Sequence, residues 1–126
     1  MNKRILLRCS TFCALVLLAL GLATNAQAQT ASPAVLLNDA YATLAQAKHD
    51  YKGHRVRAMK QIELALGEMG GKITSTGKNH ESQGTSDAQL RAAQGLIQQA
   101  TAGLSGKALK HANAAINQLN DALAIK

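Results

Sequence analysis

Residues 86–123 read SDAQLRAAQGLIQQATAGLSGKALKHANAAINQLNDAL. Leu90, Ala93, Leu96, Ile97 and Ala100 recur at steps of three and four, and Leu109, Ala112, Ile116, Leu119 and Leu123 do the same. Apolar residues at that spacing share one face of an α-helix. Between the two stripes, Ala102–Gly106 carries two glycines and a serine, which predicts a tight connection and therefore antiparallel neighbours. Ser86 with Gln89 three positions on is a capping box, so the third helix of the chain is expected to begin there.

Working back from this hairpin, a second one precedes it. Ser32-Pro33 reads as an N-cap followed by proline at the first helical position. A helix to about Asp50 places Leu37, Ala40, Tyr41, Leu44, Ala47 and Tyr51 on one face. Lys52-Gly53-His54 breaks it, and a second helix from about Arg55 carries Val56, Met59, Ile62, Leu66 and Met69 until Gly70-Gly71 stops it. Residues 70–85, GGKITSTGKNHESQGT, have no period and read as a flexible polar loop. A shift of 53 positions lays Leu37 on Leu90, Ala40 on Ala93, Leu44 on Ile97, Gln46 on Gln99, Ala47 on Ala100 and Gly53 on Gly106. Continued past the turn, it lays Val56 on Leu109 and Arg57 on Lys110. The pattern predicts an all-α chain: an up-down-up-down four-helix bundle built from two repeated helical hairpins. Residues 29–126 form one domain in this reading, with hairpin 1 at 29–69, the loop at 70–85 and hairpin 2 at 86–126.

The first 28 residues have a different character. Lys3, Arg4 and Arg8 precede an apolar run, Phe12–Ala23, and Ala26-Gln27-Ala28 is a small-x-small site. This is the pattern of a cleaved secretory signal peptide, with Gln29 as first mature residue and a periplasmic or secreted product. The run is shorter than the roughly 20 residues that span a bilayer. Cys9 and Cys13 both fall within the leader, so no disulfide is expected in the mature domain. Three of the 14 basic residues and none of the 7 acidic ones leave with it, which lowers the formal charge from +7 to +4.

Cations cluster around the two turns. Lys48, His49, Lys52, His54, Arg55, Arg57 and Lys60 surround the first, and Lys107, Lys110 and His111 the second. Arg55, Arg57, Lys107 and Lys110 sit in the opening turns of helices, where a positive charge meets the positive end of the helix dipole at a cost of about a few tenths of a kcal/mol. In an up-down-up-down bundle both turns share one end. Lys52, Arg55, Arg57, Lys107 and Lys110 would then gather into a site for an anionic ligand, surface or protein. A solvated surface serving solubility is the plainer reading of the same charges.

The alternative is metal binding through His49, His54 and His111, since imidazoles suit copper, nickel and zinc. Gly53-His54 leading into the second helix, and Gly103–Leu123 with its His111-Ala112 step, resemble the repeats of the small periplasmic metal-binding proteins. That family consists of signal-peptide-bearing four-helix bundles rich in histidine. The resemblance implies a four-helix bundle with histidine ligands, although the family's other histidine positions here hold mostly Ala, Asn, Gln or Lys. The turn Gly53-His54-Arg55-Val56-Arg57-Ala58 is similar to that of short exported proteobacterial proteins of unassigned function. A structural or stress-related protein without a small ligand is the third reading. No nucleophile–base–orienter set can be assembled, so no enzyme and no cofactor are expected. With Tyr51 the only aromatic beside the basic cluster, nucleic acid is not an expected partner. The absence of Trp or Phe from the basic second helix leaves it poorly equipped to insert in a bilayer.

Overall fold

The computed structural model describes the backbone of residues 31–74 and 83–125, and side chains in the second segment from Thr85 onward. The expected signal peptide, His80 and much of the 70–85 loop lie outside the described residues. Four α-helices account for most of what is described: α1 (Pro33–Gln46), α2 (His54–Glu68), α3 (Gln83–Thr101) and α4 (Gly106–Leu123), with a single 3-10 turn at Tyr51–Gly53.

Local chemistry sets the start of α1 and the end of α2. Ser32 Oγ accepts from the Val35 N–H at 3.4 Å, and Pro33 opens α1. At the end of α2, Gly70 adopts φ +72°. Gly71 N–H reaches back to Leu66 O at 2.8 Å and Gly70 N–H to Gly67 O at 3.0 Å, a Schellman closure that satisfies the last carbonyls. Two ends differ from the sequence reading. α1 stops at Gln46 rather than near Asp50, because the chain turns there to pack Tyr51 inward. α3 starts at Gln83, so Ser86 is not its N-cap: it lies fully buried in the first turn, where its Oγ accepts from the Lys48 N–H at 3.2 Å.

Each helix buries one stripe in a common core. Leu37, Leu44, Ile62, Leu66, Leu90, Ile97 and Leu119 supply its bulk, with Tyr51 as its aromatic member. Alanines 58, 65, 108, 112, 115 and 122 are buried along α2 and α4, whose contact is the most extensive in the bundle. Small side chains on both partners allow close approach but remove little apolar area from water, about 25 cal/mol per Å².

The chain is therefore the expected all-α four-helix bundle of two hairpins, but the direction of its helices departs from up-down-up-down. The end of α1 meets the start of α3 through Lys48 and Ser86, while Gly103, just beyond α3, packs against Pro33 at the start of α1. The first residue of α2, His54, meets Gln118 late in α4, and Gln61 meets His111 early in α4. Both cross-hairpin pairs are thus antiparallel, and the course is up-down-down-up. α1 and α4 each contact α2 and α3, so every extensively packed pair is antiparallel.

The long polar connection makes this arrangement accessible. From Thr74 to Gln83 an extended chain can span up to about 30 Å, against about 28 Å for the 19 residues of α3. The segment leading into it is stapled to α1: Asn38 Nδ2 donates to Lys72 O at 3.3 Å, and its Oδ1 accepts from Thr74 N–H at 2.8 Å.

The repeat survives with a changed register. Leu37/Leu90, Ala40/Ala93, Leu44/Ile97 and Ala47/Ala100 are buried in both copies, as are the turn plugs Tyr51 and Leu104. Gly53 and Gly106 both have positive φ, +84° and +55°. Past the glycines the shift of 53 fails, since Val56 is exposed and Leu109 is half-buried. From His54 to His111 the shift is 57, and it aligns Ala58 with Ala115, Gln61 with Gln118, Ile62 with Leu119 and Ala65 with Ala122. One additional helical turn at the start of α4 separates the two registers.

Candidate functional site

The turn between α1 and α2 is the most unusual local structure described. Tyr51, Lys52 and Gly53 have φ of +50°, +52° and +84° in succession. Glycine tolerates this region, whereas each L-residue there costs roughly 1–2 kcal/mol. The opposing term is visible: the Tyr51 ring is 1% exposed, and its hydroxyl donates to Asp87 on α3. Burial, then the hydrogen bond to Asp87 and its negative charge, push this phenol far above its ordinary range, with Arg91 and Arg55 opposing. Tyr51 therefore stays a neutral donor and pins the turn. His49 packs edge-on against the Tyr51 ring, with centroids 4.7 Å apart and planes at 86°.

The pinned turn projects charge. Lys48, His49, Asp50, Lys52 and Arg57 are exposed, and α3 adds the exposed Arg91 at the same end. Among the described residues the ion pairs are Lys60–Glu63 at 2.9 Å and His54–Asp121 at 3.9 Å. Lys48, Lys52, Arg57 and Arg91 thus have no described carboxylate within 4.0 Å. Arg55 behaves differently. Its Nη1 donates to Leu44 O at 2.9 Å, closing the end of α1, and its Nε is buried without a partner. It faces the protein and serves the fold.

The structure does not bring the five expected anion-binding residues together. Lys52, Arg55 and Arg57 lie at the end formed by the first turn. Lys107 and Lys110 open α4 at the opposite end, since Gln118 is the residue level with His54 and Lys107 lies roughly 16 Å below it along the helix. The physical reason is the reversed direction of the second hairpin, which places the two turns at opposite poles. Arg91 takes the place of Lys107 and Lys110 at the first pole. Sequence reasoning missed it because only tertiary packing carries the start of α3 to that end.

The three histidines do not converge either. His49 is exposed in the turn. His54 Nδ1 lies 3.0 Å from Gln118 Oε1, and His111 Nδ1 lies 2.8 Å from Gln61 Oε1. These two rungs of the α2–α4 seam are seven residues apart, about 10 Å along the axis. A single ion bound through imidazole nitrogens at about 2 Å cannot take both. Among the described residues no group of three or more His, Cys, Asp or Glu is placed to hold a metal. The reciprocal His–Gln rungs were visible in the sequence as His-x6-Gln, repeated at His54/Gln61 and His111/Gln118.

A groove of about 520 Å³ lies beside Pro33, Leu36, Gln99 and Gly103, at the pole away from the basic turn. Among the described residues no titratable side chain lines it. No described helix is long and apolar enough to cross a membrane. No family model, curated protein or solved structure matches the chain.

Proposed function

We propose that this chain is an exported, non-catalytic interaction module that docks end-on to extended anionic surfaces through the pole formed by its first turn. One observation carries the reading: Lys48 and Lys52 of the turn, Arg57 of α2 and Arg91 of α3 are exposed at one pole without described carboxylate partners, around a turn whose unfavourable backbone is held by a buried tyrosine. Strained backbone that the surrounding structure over-determines concentrates at functional positions. Exposed cations at the end of a bundle suit a broad partner, because small ligands are held in concave, largely apolar clefts. A basic side chain close to an anionic surface contributes about 1 kcal/mol, and the attraction decays within a Debye length of about 10 Å at 0.1 M salt.

The test compares retention on sulfonate-bearing beads and on vesicles of phosphatidylcholine with and without phosphatidylglycerol, across a salt series. The triple variant Lys48→Gln/Lys52→Gln/Arg57→Gln should lose most retention. Lys107→Gln/Lys110→Gln, which removes charge from the other pole, should keep it. Equal losses in both variants would mean that net charge alone is being read, and the docking pole would be abandoned.

A further inference from the structure

We infer that this docking pole is proton-gated, with His49 and His54 raising its positive charge as pH falls; the inference rests on the docking reading above. Both imidazoles flank the pinned turn. His49 is exposed beside Tyr51, with Lys48 and Asp50 as its chain neighbours and the Asp87–Arg91 turn of α3 packed beyond the tyrosine. His54 opens α2 next to Lys52, Arg55 and Arg57, and faces Gln118 and Asp121 on α4, with its Nδ1 3.9 Å from Asp121 Oδ2. Imidazole is the side chain whose charge ordinarily changes between about pH 5 and 8. At the upper limit the described residues of the pole are Lys48, Lys52, Arg55, Arg57 and Arg91 against Asp50, Asp87 and Asp121. Two imidazolium charges double that excess.

The geometry permits the added charge without loosening the bundle. Gln118 Oε1 is an acceptor, so the His54 Nδ1 beside it carries the hydrogen in the neutral ring. Nε2 is then the ring nitrogen without a hydrogen, and the Nδ1–H donation to Gln118 does not involve it. His49 has its ring edge on Tyr51 and is otherwise exposed to solvent. His111, bonded to Gln61, lies lower on the α2–α4 seam and serves as an internal control.

The experiment measures affinity for sulfonate beads, whose charge does not titrate, at constant ionic strength and at about pH 7.5 and about pH 5.5, a window above ordinary carboxylate titration. The expected result is tightening on the order of tenfold at the lower pH. His49→Gln/His54→Gln should abolish the increase, the single His49→Gln should reduce it, and His111→Gln should retain it, with helicity followed by circular dichroism. Salt-sensitive retention that ignores pH would overturn the gate and leave the docking pole standing. A pH response that persists in His49→Gln/His54→Gln would also overturn the gate. No retention at either pH would remove both.

Discussion

The reversed direction of the second hairpin can be tested with one methyl group. Gly103 has no positive φ, so alanine is conformationally acceptable there, and such a change ordinarily stabilises a protein by about 0.4–1 kcal/mol through the unfolded state. In this bundle a Cβ at position 103 would lie 2.5 Å from Pro33 Cγ. Restoring an ordinary carbon–carbon contact of about 3.5 Å requires the ring or the turn to retreat by about 1 Å. The proline ring cannot rotate away as a flexible side chain would, and overpacking of this kind costs about 1–3 kcal/mol. The net expectation for Gly103→Ala is a loss of about 1–2 kcal/mol, with Tm falling by about 4–8 °C per kcal/mol. Urea and thermal unfolding followed by far-ultraviolet circular dichroism would measure it. Pro33→Ala removes the colliding atom, so the double variant should be more stable than the sum of the single losses implies. In an up-down-up-down bundle Gly103 would lie far from Pro33. A Gly103→Ala variant that gains stability would therefore refute the antiparallel pairing of α1 with α3 and the separation of the two turns.

Two further outcomes concern the pinned turn. Lys52 is exposed with φ +52°, so Lys52→Gly should raise stability by up to about 1 kcal/mol in denaturant unfolding, and a loss would show that its left-handed backbone is not strained. Tyr51→Phe should cost about 1.5–3 kcal/mol by removing a hydrogen bond to a carboxylate, and should also flatten the alkaline end of the stability profile. Tyr41 is raised as well, by burial first and then by the charge and hydrogen bond of Glu63, with Lys60 opposing. A folded chain that holds its phenolic protons more tightly is fully stable below about pH 10 and weakens as pH climbs beyond it. An alkaline titration of Tyr51→Phe indistinguishable from the parent would remove Tyr51 from that account.

The helices were legible because their causes are local. Leu90, Ala93, Ile97 and Ala100 declare a buried face by spacing alone, and Ser32-Pro33 and Gly70-Gly71 mark ends through chemistry confined to a few residues. The basic character of the first turn was equally plain from Lys48, Lys52 and Arg57. Where a terminus depended on a remote partner, local reading failed. Ser86 has the credentials of an N-cap, yet its hydroxyl serves Lys48 across the bundle. α1 carries its apolar spacing through to Tyr51, yet the chain leaves the helix early and returns that ring to the core by way of three left-handed residues.

Periodicity and capping thus settled that there are two hairpins and which face of α1 and α3 is apolar, whereas in α2 and α4 alanines carry much of the buried stripe and Val56 and Met69 of the expected face are exposed. They were silent on how the hairpins lie against each other, because burial of apolar surface has no direction and an alanine–leucine stripe is covered equally well by a partner running either way. Orientation came from a few contacts between residues distant in the chain: Lys48 with Ser86, Gly103 against Pro33, His54 with Gln118 and Gln61 with His111. Those contacts put the turns at opposite poles, separated Lys107 and Lys110 from Lys52 and Arg57, and brought Arg91 beside Tyr51 in their place.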